Sequence, residues 1–145
     1  MSSDPRAAGW ALDPQLERDT TAIGDMALCR VLLSKDANYP WLILVPRRRG
    51  TVEIIDLRDS EQAQLMTEIA DVSIALKAVT GCDKLNVAAI GNVVAQLHVH
   101  VVARRRGDAV WPKPVWNAAP PRDYEAAARN QLTAALQQRL ALSPI

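Results

Sequence analysis

The stretch QLHVHVVAR, Gln96–Arg104, carries both histidines of a 145-residue chain, and its alternation decides how they sit. In a β-strand successive side chains point to opposite faces, so Gln96, His98, His100 and Arg104 share one face while Leu97, Val99 and Val101 share the other. The apolar face belongs against a core, and the polar face lines something wet or reactive. Same-face neighbours lie ~6.6 Å apart, at about 3.3 Å per residue. Two imidazoles and an amide at that spacing can touch neighbouring atoms of one small anionic group.

Working outward, Leu85, Val87 and Ala89 alternate as a second strand, and Gly91-Asn92 turns the chain toward the histidines. Upstream, MALCRVLL (Met26 to Leu33) and WLILV (Trp41 to Val45) flank the turn chemistry of SKDANYP, which predicts an antiparallel pair ended by Pro46. TVEIIDL, residues 51–57, is expected to add a short extended piece. Asp59 with Gln62 three residues on predicts a capped helix start, and Leu65, Ile69, Val72, Leu76 and Val79 then recur at spacings of four and three. Gly81 closes that helix as a left-handed cap.

Asp13-Pro14 opens a short helix expected to end before Gly24 and to pack as an arm. Leu132, Leu136 and Leu140 repeat every fourth residue before Pro144, which predicts a last helix from about Asp123 to Leu140. Short connections between paired strands favour an antiparallel sheet over a parallel one. The expected class is α+β, an antiparallel five-stranded sheet with helices packed on one face. The length suits one domain over residues 1–145: an arm and short helix (1–23), a core (24–106), and a Trp/Pro loop with the C-terminal helix (107–145).

Seventeen Lys and Arg balance sixteen Asp and Glu, leaving a net charge of +1, so no field of one sign covers the molecule and a nucleic-acid partner is disfavoured. Cys29 and Cys82 are far apart and form no C-x-x-C pair, which suits a reduced, cytoplasmic setting. The opening MSSDPRAAGWALDP has no basic start with an apolar run behind it, and no segment reaches ~18 uninterrupted apolar residues, so neither export nor membrane association is expected.

Three readings of the His pair compete. Two histidines on a half-exposed sheet can be inert. They can supply two zinc ligands, but a site needs a third from protein, and Val-Val-Ala-Arg follows the pair, with no carboxylate and with an arginine that repels a cation. Or one neutral imidazole can attack phosphorus while its other nitrogen is held by a backbone carbonyl, with the second histidine and nearby arginines sharing the phosphate charge.

The segment IGNVVAQLHVHVVAR resembles the signature of the histidine triad (HIT) superfamily, His-x-His-x-His with apolar x, and YPWLILVPR, Tyr39 to Arg47, resembles that family's P-G-x-x-L-V-x-P-K segment. The resemblance spans roughly residues 24–106. It implies a protein that binds nucleotides and splits phosphate bonds through a nucleotidyl-histidine intermediate on His98, with His100 contacting the α-phosphate. It implies further that Asn92 stands for a phosphate-contacting glutamine, that Asp36 meets the ribose hydroxyls, and that two copies dimerise through sheet and helices. No cofactor or metal is implied; the partners are a nucleotide or dinucleoside polyphosphate and a second copy of the chain.

Two departures stand out. Gln96 replaces the first histidine and cannot take a proton at neutral pH, and Arg47-Arg48-Arg49 follows Pro46 where many members have a histidine. The chain is similar in this to a bacterial HIT-like subgroup with Q-L-H-x-H and a later W-P-x-P-V-W, matched by WPKPVW, Trp111 to Trp116. The expected function is a hydrolase or nucleotidyl transferase with His98 as nucleophile, supported by His100 and Gln96, and with Asn92, Asp36 and Arg104 on the nucleotide. The alternative is a non-catalytic nucleotide- or partner-binding module on the same fold. Trp111 and Trp116 are expected mainly to cover the core, and Arg47 to Arg49 to draw in a polyphosphate or form a solvated turn.

Overall fold

The computed structural model describes residues 4–145. In chain order it contains α1 (Pro14–Asp19), β1 (Thr20–Asp25), β2 (Cys29–Ser34), β3 (Trp41–Pro46), α2 (Asp59–Thr80), β4 (Lys84–Ala88), β5 (Val99–Arg104) and α3 (Ala126–Leu140). The strands form one five-stranded sheet in the order β1-β2-β3-β5-β4, antiparallel at every pairing. This is the expected α+β architecture.

The fifth strand is not where the sequence put it. TVEIIDL forms a single 3-10 turn at Ile54–Asp56, and β1 arises instead directly from the end of α1. Its TTAIGD holds only two aliphatic side chains and is broken by a register shift between Ala22 and Gly24, so alternation alone does not mark it. Glycine is required at position 24: an added Cβ would lie 2.5 Å from Leu142 Cβ. The C-terminal tail closes in there, with Asp25 and Ser143 exchanging backbone hydrogen bonds at 2.9 and 3.0 Å.

Helix boundaries follow local capping. The Asp13 carboxylate accepts the N–H of Gln15, as its N-cap position predicts. For α2 the cap moves one residue earlier than expected, with Glu61, not Gln62, accepting the Arg58 N–H at 2.8 Å. Gly81 ends α2 in the left-handed conformation (φ 63°, ψ 30°). Helix α3 starts at Ala126, three residues later than expected, since Asp123 to Glu125 are not helical.

Alternation sorts the sheet into two faces. Val31, Leu33, Leu42, Leu44, Val99, Val101 and Ala103 point to the helices and form the main core with Leu65, Val72, Leu76 and Leu136. Glu68 of α2 is buried in that core, where its carboxylate accepts the N–H groups of Leu28 and Cys29 at 2.9 and 2.8 Å. The opposite face carries two smaller apolar clusters. Trp10, Leu12 and Leu16 of the arm cover Leu32, Ile43 and Val45 at one end. Val110, Val115 and Trp116 of the Trp/Pro loop cover Tyr39 and Val102 at the other, and Trp41 belongs to both.

Candidate active site

His98 and His100 emerge on the face opposite the helices, near the seam between arm and loop. Their rings stand edge to face with centroids 4.9 Å apart, so the two histidines do share a face, although the strand expected from Gln96 begins only at Val99 and His98 lies in the segment leading into it. His98 Nδ1 lies 2.7 Å from the carbonyl oxygen of Gln96. A carbonyl only accepts, so Nδ1 carries the proton, and Nε2 keeps its lone pair with no hydrogen-bond partner among the described residues. At His100 the pattern is reversed. The indole N–H of Trp41 donates to His100 Nδ1 at 3.0 Å, and an indole nitrogen is donor only. Nδ1 is therefore the unprotonated nitrogen and Nε2 carries the hydrogen.

Burial under Trp41 and Trp116 and the neighbouring His98 ring push the His100 pKa down from 6.5 to about 4. His100 is thus neutral at pH 7. His98 lines a cleft of about 260 Å³ at the start of β5, walled by Val52, Ile54, Ile90 and Leu97, with Glu53 as its one charged side chain. His100 does not line that cleft and stands behind His98. Gly91 forms part of the rim, which places the exposed Asn92 beside the opening.

The remaining expected site residues fare differently. Gln96 is on the His face, but its amide holds the arm: Oε1 accepts the N–H of Asp13 at 2.8 Å and Nε2 donates to the carbonyl of Ala11 at 2.9 Å. Arg104 shares the face by parity, yet it turns inward and is 1% exposed. It makes a fork with Asp108 (2.7 and 3.1 Å), bonds Asn86 Oδ1 at 2.9 Å and lies between the rings of Tyr39 and Trp111. With its donors engaged inside the protein, it is not placed to meet a phosphate, which corrects the expectation from parity. Asp36 is also displaced. It lies past the end of β2, four residues beyond Leu32, which pairs with Ile43, the partner of His100. Its carboxylate accepts from the N–H groups of Asn38 and Arg122.

The arginine run is structural in large part. Arg47 donates to the carbonyls of Met26 and Ala27, and Arg48 pairs with Glu61, which also binds Arg6 of the arm. Asp4 joins this cluster, and the Arg6 guanidinium holds its carboxyl well below the usual range. Sequence reasoning missed Trp41, whose indole reaches His100 across a diagonal of the β3–β5 pair. The apolar run WLILV marks a strand but does not say which of its residues meets a polar atom.

The comparisons identify the family. The model of the HIT domain matches residues 15–107, more than half of the chain. A crystal structure of a histidine triad protein from Bradyrhizobium japonicum is 56% identical, with a TM-score of 0.90 over 90% of this chain and 98% of that one. Histidine triad proteins from Sinorhizobium meliloti (41% identity, TM-score 0.90, covering 92% and 99%) and Marinobacter aquaeolei (42%, 0.88, covering 91% and 96%) are similar throughout. Among curated proteins, none matches the chain. With His100 in β5 and His98 just ahead of it, their rings in contact, and a family match that spans the sheet and α2, this chain belongs to the histidine triad family.

Proposed function

We propose that the protein binds a nucleotide at the His98 cleft and splits its α-phosphate bond through a nucleotidyl-histidine intermediate. The observation that carries this reading is the His98 tautomer. With Nδ1–H held by the Gln96 carbonyl, Nε2 is the nitrogen left to attack, on a ring that lines the cleft. Attack by Nε2 forms an N–P bond while the bond from phosphorus to the leaving group breaks, and that group departs with the electron pair and takes up a proton. The positive charge developing on the ring spreads through Nδ1–H into the Gln96 carbonyl. Water then attacks phosphorus, the N–P pair returns to Nε2, and the nucleoside monophosphate is released. In this reading His100 donates its Nε2–H to a phosphoryl oxygen, and Asn92 at the rim holds the neighbouring phosphate. Gln96 contributes through its main-chain carbonyl.

To test it, the protein is incubated with a dinucleoside polyphosphate or an adenylyl amide, quenched, and digested. One nucleotide mass added at His98 is expected. Full turnover by His98→Ala overturns the assignment.

A second reading, nucleotide or partner binding without turnover, is favoured by the engagement of Gln96 and Arg104 and by the lack of a basic residue in the cleft wall. Calorimetric binding with no turnover across a substrate panel selects it. The reading also includes a homodimer joined at β4. The β1 edge is occupied by Ser143, whereas β4 is an edge strand beside the exposed Val87, Ile90 and Val93. No described helix is long and apolar enough to cross a membrane. A cytoplasmic setting is supported by the unpaired, buried Cys29 and Cys82.

A further inference from the structure

Two imidazoles 4.9 Å apart and two residues apart in sequence would ordinarily be interchangeable in tautomer, and nothing in the alternation of the sequence distinguishes them. The structure distinguishes them by their Nδ1 partners. One is a carbonyl oxygen two residues back in the segment before β5; the other is an indole N–H from β3. We propose that Trp41 is a positioning residue that holds His100 as its neutral Nε2–H tautomer, so that the pair presents a lone pair on one Nε2 and a hydrogen-bond donor on the other.

A second proton on His100 would have to sit on Nδ1, where it would face the Trp41 N–H at a nitrogen-to-nitrogen distance of 3.0 Å. Protonation therefore breaks that bond and sets two donors against each other in a buried place. Trp116 reinforces the arrangement, packing edge-on against both His100 and Trp41 at 5.2 and 5.9 Å between ring centroids. The strand pairs set the reach: Ile43 lies opposite His100 and Trp41 opposite Val102, so Trp41 is the diagonal neighbour on the same face.

Among the described residues, no other charge competes for this role. The groups around His100 from β3 are Trp41 and Ile43, from β4 Ala88, and from the Trp/Pro loop Trp116, all uncharged. His98 is the one titratable side chain that acts on it, and its effect, like burial, favours the neutral ring. Arg104, two same-face positions further along, is already paired with Asp108. A donor at His100 Nε2 suits an oxygen of the group that His98 attacks. That last use rests on the nucleotidyl-transfer reading; the tautomer assignment does not.

The assignment is tested on the free protein, without substrate. Uniformly ¹⁵N-labelled protein is examined by two-bond proton–nitrogen correlation of the imidazole rings at pH 7 and through an acid titration. The expected result is Nδ1–H at His98 and Nε2–H at His100. In Trp41→Phe, His100 should gain a population of the Nδ1–H tautomer, and its titration midpoint should rise by about one pH unit or more toward the ordinary 6.5. A wild-type His100 that is charged, or protonated on Nδ1, at pH 7 overturns the proposal whether or not the variant folds. So does a folded Trp41→Phe whose His100 tautomer and midpoint are unchanged. Absence of any nucleotidyl adduct on His98 in the wild-type protein would sink the functional reading while leaving these spectra as they are.

Discussion

The side-chain oxygen of Gln96 accepts the backbone N–H of Asp13 at 2.8 Å, across 83 residues of sequence, while its Nε2 donates to Ala11. One amide thus serves both the donor and the acceptor of an extended backbone segment and ties the arm to the strand that bears His98. Gln96→Ala should release residues 11–13, raising their amide exchange. The cost should be about 1–3 kcal/mol, the net worth of two ordinary hydrogen bonds. Hydrogen exchange by residue checks this; exchange unchanged at residues 11–13 would show that Trp10, Leu12 and Leu16 hold the arm without the clip.

Arg104 is buried and forks onto the partly buried Asp108, whose carboxylate also accepts the N–H groups of Arg105, Val110 and Trp111, so removing the arginine breaks the ion pair and empties the slot between Tyr39 and Trp111. Arg104→Ala should cost about 3–5 kcal/mol, read as a shift in the urea midpoint. A direct phosphate contact would instead weaken nucleotide binding with little loss of stability. Lysine should rescue only in part, because it cannot reproduce the fork on Asp108 or the stacking between Tyr39 and Trp111.

His100 should imprint itself on the pH dependence of stability. Its folded pKa, about 4, lies below the ordinary 6.5, so between those values the unfolded chain binds more protons than the native one. Stability from this group is fully present above pH 6.5 and falls as pH drops toward 4, by on the order of 3 kcal/mol. Urea unfolding between pH 5 and 7 isolates the effect, since the carboxylates held low, such as Asp108 and Glu61, lose their contribution only in more acid solution. His100→Asn should flatten this slope.

The cleft in front of His98 carries a carboxylate, Glu53, and no cation among its lining residues. An anionic substrate meets an unfavourable charge there. Glu53→Gln should lower KM for such a substrate by roughly two- to five-fold at low salt, with the difference shrinking as ionic strength rises. Steady-state kinetics at two salt concentrations decide it; an equal KM at low salt would mean that the phosphates lie away from Glu53.

Val87 is half exposed on the β4 edge. If two copies join there, Val87→Asp should convert the dimer to monomer in sedimentation velocity, with the monomer keeping its far-UV spectrum. Dimers that persist in the variant would assign the interface elsewhere.

The sequence by itself determined the alternation of Gln96 to Arg104, the pairing of β2 with β3, the stripe of α2 and its Gly81 cap, because each depends on neighbours within a few positions. It also put His98 and His100 on one face, since parity along a strand needs no tertiary information. Parity did not, however, say what a side chain does once it leaves the backbone. Arg104 follows the rule and then folds inward to Asp108, and Gln96 follows it and then reaches the arm. Strand β1 escaped notice because its residues are ordered by the tail at Ser143 and by β2, not by their own apolar pattern. The tautomers of the two histidines, and with them the chemistry this face can perform, were decided only in three dimensions. They depend on which atom stands 3 Å from each Nδ1, and for His100 that atom comes from a strand 59 residues away in sequence.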